Sequence, residues 1–569
     1  MPIGDDIPDP VRIDDVNLDE ESLLWNESTP NMQKSRENRF DIIGNPPYDI
    51  IPDILSYMEI NERLRLLNIS KTWCDKMSAF LSTWSKLIIQ KKTNFSKDQA
   101  LMLTPISHHI SDPELTDVKD PSITDCIFTQ IVNAKCIQLK KLNLTVRKTW
   151  NKVCILIARG IITPDQTVLS LCRNLQVFGY TNLGEDYIGG EIAGFLDPGY
   201  DSTILSRLGF RFGILDIADI QRILSACSHN IGQQLRELSI NLPDESNNEG
   251  MSLIRRYCKR LEILNINDRF YDDEVYSNRK NTINNKFIHP CPQYAIPIST
   301  SAANANGKLQ EFAVSLEQVQ EFIPYFVEHT VTIQSLKIKT ILKDSNYKRQ
   351  QPPWVHTLND LNNLRSLVIN GGVVNKLLSD TGVSVLLSKS PHLGWLHFCD
   401  CWISGKHTFT AIENLHHLQK LELWGCEMDE DHFGSMMDTF AIRNRQKSEL
   451  SSLEEIIFMT STGLSSGIER LSDILSLRRI DLLHIDAEGI RRSSLVRLSK
   501  NIKSHPCIWS IELASVDAAD DVVLEHLAAI DKLKFLELNG LDNVSEEGSK
   551  YFDGTTIKLI LEHLYNITW

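Results

Sequence analysis

Apolar residues recur along most of this chain in one short figure: a leucine, two residues, a leucine, one residue, a leucine, with Ile, Val or Phe substituting. Clear copies are LRELSI from Leu235, LEILNI from Leu261, LRSLVI from Leu364, LGWLHF from Leu393, LQKLEL from Leu418 and LKFLEL from Leu533. Looser copies start at Leu139, Leu175, Leu205, Leu309, Ile333, Leu453, Leu477 and Ile508, and most steps between starts are 24 to 36 residues. The second and third apolar positions are two apart, so they fall on one side of a short strand. Between copies, stretches such as DEDHFGSMMDTFAIRN and AADDVVLEHLAAI carry apolar residues at helical spacing. One strand with one helix cannot bury its own apolar side, but stacked copies share a continuous core. The pattern therefore predicts an α/β solenoid over residues 135–569, with parallel strands inside and helices outside. An all-helical solenoid is the alternative, but no helical period explains the two-residue step so often.

These copies resemble leucine-rich repeats of the longer, helix-containing kind, and they are irregular. Two of them place a Cys eight residues after the first Leu, Cys401 and Cys426, where that family buries an Asn or Cys. One step, from Leu261 to Leu309, is 48 residues. It holds a polar, turn-rich stretch that reads as an inserted loop over 268–305.

The N-terminal region has a different texture. Residues 1–40 are acidic, contain proline and lack sustained periodicity, which predicts a disordered tail. Residues 41–90 crowd three short helical patterns together, beginning PPYDIIPDILSYMEINERLRLLNISKTW. Ile50, Ile51, Ile54, Leu55 and Met58 fall at helical spacings over more than one face, Asn61 is placed to cap a second helix with Leu64 and Leu67 on one side, and Ser70 a third. The set exceeds what so small a unit hides within itself, so part of it is expected on a docking surface. Residues 91–134 read as a connector.

This module resembles an F-box. Ile54-Leu55-Ser56-Tyr57-Met58 matches the segment that ends the first helix, Asn61-Glu62-Arg63-Leu64 the turn and second helix, Trp73 the first tryptophan and Trp84 the later one; Pro46 stands where the family has Leu, and the ending reads Ser70-Lys71-Thr72-Trp73. The resemblance implies a small three-helix F-box module that docks on a Skp-type adaptor and through it on a cullin–RING ubiquitin ligase. It implies that the repeats capture a protein substrate. Pro47, Ile50, Ile51, Ile54, Leu55, Met58, Leu64 and Leu67 are then the residues shared between internal core and adaptor face. A helical subdomain packed on the first repeat is the plainer reading of the same residues.

Composition narrows the chemistry. The chain of 569 residues is 42% hydrophobic and 23% charged, with a net charge of −15. A general nucleic-acid binder needs a basic face, so none is expected. No apolar run approaches the roughly 18–20 residues that span a bilayer, and no signal-peptide pattern is read at the start. Twelve cysteines without a disulfide-like spacing fit a reducing compartment, cytoplasm or nucleus. There is no phosphate-cradling Gly loop, nucleophile elbow, HExxH or paired CxxC. His392, His397, Cys399, Cys401 and Cys426 look briefly like a metal cluster, but the repeat's own buried position explains two of them. The expectation is a receptor without catalytic residue, metal or cofactor. A repeat scaffold that binds partners without ubiquitin transfer is the alternative; a GTPase-activating array would need a rim arginine that cannot be singled out.

The substrate surface is read from columns. Four places after each first Leu the chain reads Lys337, Val368, His397, Glu422, Ile457, Asp481, Glu512, Glu537, pointing into the concave face. Two places after, it reads Trp395, Lys420, Glu455, Arg479, Ser510, Phe535, and six places after includes Trp424. The expected site is Trp395, His397, Glu422, Trp424, Asp481, Glu512 and Glu537, holding a basic segment between acids and aromatic anchors, with Lys420 and Arg479 placed to neutralise part of the charge.

Overall fold

In the computed structural model the described residues are 53, 55, 57–67, 71, 74, 75, 84–90, 95–116, 123, 126, 127, 130, 139–146, 175–182, 206–211, 217–226, 235–242, 247–266, 309–315, 325–339, 359–370, 380–445, 452–553 and 558–562. The expected tail 1–40, the inserted loop 268–305 and the site candidates Pro47, Ile50, Ile51 and Ile54 lie outside them. The chain divides into two units, Met1–Met58 and Glu59–Trp569, a boundary inside the expected helical module.

The larger unit is an α/β solenoid. Its strands are β1 (Lys86–Gln90), β2 (Asp112–Thr116), β3 (Lys141–Val146), β4 (Val177–Asn182), β5 (Arg207–Arg211), β6 (Glu237–Ile240), β7 (Ile263–Ile266), β8 (Glu311–Ser315), β9 (Ser335–Lys339) and β10 (Ser366–Asn370). They continue as β11 (Trp395–Cys399), β12 (Trp402–Ile403), β13 (Lys420–Trp424), β14 (Glu427–Met428), β15 (Glu455–Met459), β16 (Arg479–Ile485), β17 (Ser510–Val516), β18 (Phe535–Asn539) and β19 (Lys558–Glu562). All but β12 and β14 form one parallel ladder in chain order, each strand beside the next. β12 and β14 pair separately.

All fourteen copies of the leucine figure become strands of this ladder. The ladder also takes in β1 and β2, within stretches expected to close the helical module and to form a connector. The figure is present there in disguise: Trp84, Leu87 and Ile89 take its three positions at β1, and Ile110, Pro113 and Leu115 at β2. Trp84 is buried as the first residue of a repeat. At each described junction, from Ser111 and Asp112 on the Ser85 carbonyl to Lys534 and Phe535 on the Trp509 carbonyl, two successive N–H groups donate to one carbonyl of the preceding repeat. This shared acceptor fixes the register of each coil on the one before.

The core lies between strands and helices. Leu367, Leu396, Leu421, Ile456, Ile480, Ile511 and Leu536 stack from strand to strand, as do Ile369, Phe398, Leu423, Phe458, Leu482, Leu513 and Leu538, all buried. The helix Glu430–Arg445 brings Phe433 edge-on to Phe458, with centroids 5.7 Å apart. Truncating one such stacked leucine to Ala costs about 2–5 kcal/mol.

In the repeats of β11, β13, β15, β16, β17 and β18 a left-handed residue stands seven places after the first position: Asp400, Gly425, Thr460, His484, Ser515 and Gly540, with φ between 47° and 59°. The next position faces inward. Cys401 Sγ donates to the Ile369 carbonyl at 3.5 Å and Cys426 Sγ to the Phe398 carbonyl at 3.4 Å. Ser461 continues the row, donating to the Leu423 carbonyl at 2.8 Å. The repeat thus satisfies its buried turn carbonyls with thiols and a hydroxyl.

Candidate functional site

At the N-terminal end, the helix Ile60–Leu67 lies beside β1. Ile60, Leu64 and Leu67, at spacings of four and three, are its buried face. It begins one residue before Asn61: Glu59 precedes it, and Glu62 Oε2 accepts from the Glu59 N–H at 3.1 Å. Leu55, in the smaller unit, is buried as well. Of the residues expected to be shared with an adaptor, Leu55, Leu64 and Leu67 therefore belong to the chain's own interior, and Met58 is half-buried. Tyr57, not singled out from the sequence for docking, is 90% exposed.

The columns on the other face are in register. Val368 stands beside Lys337 and His397, His397 beside Glu422, Asp481 beside Glu512, and Glu512 beside Glu537. These even positions point away from the stacked leucines, onto the open face of the sheet.

The expected acids are largely engaged. Glu422, 4% exposed, accepts from Lys420 Nζ at 2.7 Å, and its other oxygen lies 3.6 Å from His397 Nδ1. Lys420 also reaches Glu455 at 3.6 Å. Asp481, 2% exposed, is gripped by Arg479 through Nε at 2.9 Å and Nη2 at 2.7 Å. Arg479 extends to Glu512 at 3.5 Å. Burial works against the guanidinium charge, but Asp481 first, then Glu512 and Glu455, outweigh it and raise the Arg479 pKa. Asp481 and Glu422 are thus already compensated by Arg479 and Lys420, the two cations placed to neutralise part of the column's charge.

What stands out instead is an aromatic cluster on β11 and β13, with Ser366 of β10 paired beside Trp395. Trp395 and His397 stack at 6.3 Å, Trp424 tilts over His397 at 4.6 Å, and the Lys420 ammonium sits 5.7 Å from the Trp395 ring centroid. Burial, above all, lowers the His397 pKa; Glu422 opposes this, and Lys420 and Lys337 add to it. Its Nδ1 is turned to the Glu422 carboxylate at 3.6 Å. Buried polar atoms without a hydrogen-bond partner here include Ser366 Oγ, Trp395 Nε1 and His397 Nε2. Leaving such an atom unpaired costs about 1–3 kcal/mol. Ser366 escaped the sequence reading, although the column two places after each first Leu, followed one strand further back, leads to it.

Among the described residues no cluster of three or more His, Cys, Asp or Glu is arranged to hold a metal, and no helix is long and apolar enough to cross a membrane. Cys401 and Cys426 serve the buried turn, as the repeat pattern implied.

No protein-family model matches the chain. No curated protein matches it. Solved structures with similarity include that of the yeast Rad7 and Elc1 complex, at 14% identity and a TM-score of 0.36 over 72% of this chain and 87% of that one. Another is an internalin, InlF, from Listeria monocytogenes, at 13% identity and 0.34 over 79% and 92%. A third is a TLR13–ssRNA13 complex, at 13% identity and 0.38 over 83% of this chain and 55% of that one.

Proposed function

We propose that the chain is a non-catalytic receptor that holds a polypeptide on the open strand face and, through its N-terminal module, presents it to a Skp-type adaptor of a cullin–RING ubiquitin ligase in the cytoplasm or nucleus. The observation that carries the first half is the aromatic cluster of Trp395, His397 and Trp424 on the strand face, with Lys420 beside it. The ligase half is supported by the F-box resemblance of residues 46–84 and by the exposure of Tyr57 inside its best-matched segment. Such a receptor needs no catalytic group of its own. Tethering a substrate lysine beside activated ubiquitin raises its effective concentration, which alone accelerates transfer.

The test is reconstitution of the full chain with a Skp-type adaptor and cullin, read by light scattering after gel filtration. A stable one-to-one complex is expected with the adaptor, and Tyr57→Asp should abolish it with unchanged thermal unfolding. Leu64→Asp is no docking test, because it places a charge in the interior. If no complex forms, the ligase half falls. The alternative, a repeat scaffold acting without ubiquitin transfer, is told apart by an adaptor complex that fails to retain cullin.

A further inference from the structure

The middle row of the strand face changes character between β16 and β17. Val368, His397, Glu422, Ile457 and Asp481 are buried, whereas Glu512 on β17 and Glu537 on β18 are half-buried. The row beside it gives the reason. Lys420 and Arg479 are long enough to reach the acids next to them, but β17 has Ser510 in that row, between Arg479 and Phe535 in register. Phe535 is 39% exposed, and so is Trp509, the residue immediately before β17. Their rings meet edge-on with centroids 5.5 Å apart. Exposed aromatic surface and carboxylates therefore adjoin on β17 and β18.

Charge and spacing specify what fits there. On β13–β18, Lys420 and Arg479 each sit closest to a buried acid, Glu422 and Asp481, at 2.7 Å. Their reach to Glu455 and Glu512 is longer, 3.6 and 3.5 Å. Acids outnumber cations on this face even when Lys558, which pairs with Phe535 on β19, is counted. Such an excess opposes phosphates and carboxylates and favours a cation. An extended polypeptide lying along β18 turns every second side chain to the sheet, about 6.8 Å apart. Phe535 and Glu537 are themselves two residues apart on one strand, so the step from ring to carboxylate is the same. A chain laid across the strands meets Arg479 one strand beyond Ser510 instead.

We propose that Trp509, Phe535, Glu512 and Glu537 form a docking surface for an extended polypeptide segment that carries an apolar side chain two residues from a lysine or arginine. The apolar side chain packs on the two rings, and the cation stands against the carboxylates of β17 and β18. This rests on the receptor reading above and adds the sequence feature that is held.

The experiment uses the full chain and end-blocked peptides. Gly-Leu-Ser-Arg-Gly and Gly-Arg-Ser-Leu-Gly cover both chain directions. Gly-Leu-Ser-Glu-Gly, Gly-Ser-Ser-Arg-Gly and Gly-Leu-Arg-Ser-Gly remove the charge, the apolar side chain and the spacing in turn. The readout is the Trp509 indole N–H resonance, identified by its loss in Trp509→Phe. At least one of the first two peptides should shift it saturably, with a Kd of about 1 mM, and the other three should be weaker. Phe535→Ser should weaken the bound peptide about tenfold, as loss of an aromatic anchor does. Glu537→Gln should weaken it about two- to fivefold, the value of an exposed ion pair, and that loss should shrink in high salt. Lys534→Ser removes an exposed cation next to Phe535 and should strengthen binding. These side chains all reach solvent, so the variants should keep the wild-type unfolding midpoint. Equal shifts by the Arg and Glu peptides would overturn the proposal. Saturable broadening of the peptide's own resonances that survives Phe535→Ser would overturn this surface and leave a chain that holds polypeptides elsewhere. No shift with any peptide would overturn the surface as well, while the adaptor complex, measured on the same preparation, decides the receptor reading separately.

Discussion

Arg479 holds Asp481 by two contacts from its own strand, Nε to Oδ1 at 2.9 Å and Nη2 to Oδ2 at 2.7 Å, in a position where the carboxylate has almost no contact with water. Both sit on β16, two residues apart, so one strand supplies the acid and its counter-ion. Breaking such a pair strands a buried charge. Arg479→Ala is expected to destabilise the repeats by about 3 kcal/mol, the low end of the range for one-sided removal, because the arginine's edge reaches solvent. Arg479→Met with Asp481→Leu should recover most of that loss. Urea midpoints of the single and double variants check this, and an Arg479→Ala midpoint equal to wild type would contradict it.

His505 makes stability depend on pH. Its Nδ1 accepts from the N–H groups of Cys507 and Ile508 at 3.2 and 3.1 Å, and its Nε2–H donates to the Ile474 carbonyl at 3.0 Å. Burial lowers its pKa, the Ile474 bond opposes this, and Lys532 adds to the lowering. A depressed histidine favours folding while neutral. Its contribution is whole above the unfolded value of about 6.5 and is lost as pH falls from there through the folded value. Unfolding midpoints at pH 7.5 and 5.5 should fall further for wild type than for His505→Gln.

Asp380 couples two coils. Lying at the start of helix Asp380–Ser388, it accepts from the backbone N–H groups of His407 at 3.0 Å and Thr408 at 2.8 Å, at the start of helix Lys406–Glu413. Gly405 stands close enough that an added Cβ would lie 1.9 Å from Asp380 Cγ. Asp380→Ala should cost about 1–2 kcal/mol. Gly405→Ala should cost a similar amount alone and little in the Asp380→Ala background, a coupling measured by a double-mutant cycle. Burial raises the Asp380 pKa, but bonds from Thr408 and His407 prevail and lower it. This cap therefore holds above about pH 4, the unfolded range, and is lost as pH falls through the lower folded value.

Gly425 has φ 59°, and an added Cβ would lie 2.3 Å from Asp400 Oδ1. Gly425→Ala is expected to cost about 1–2 kcal/mol from the left-handed backbone alone, and more with the clash. Thr460, at the same repeat position with φ 47°, gives the opposite experiment. Thr460→Gly relieves strain and raises the midpoint, less the added freedom of the unfolded chain.

The leucine figure was legible because its two-residue step survives Ile, Val and Phe. It was illegible at β1, where Trp84 stands for the first Leu, and at β2, where Pro113 stands for the second. Proline also removes a ladder donor, so a strand there runs against propensity. Before β19 the first position falls on Thr556, by the pairing of Lys558 with Phe535. The site columns were readable because parallel strands in register turn a sequence offset into a spatial row. What the offsets did not carry was the side-chain geometry. Lys420 and Arg479 were visible as neighbours, but the grip on a carboxylate buried as deeply as Asp481 depends on rotamers and packing. Charge reversal at Asp481 would therefore damage the fold before it tested any partner. The same limit held at Leu55, Leu64 and Leu67, whose spacing gave a helix face without saying what would cover it.

The shared acceptor carbonyl at each junction has a mechanical consequence. Because every coil is tied to the one before by two N–H groups on a single oxygen, tension applied along the stack loads one such clasp at a time. Stretched from its last turn in an optical trap, the molecule should unwind as a staircase of small steps, each releasing about one coil of contour length.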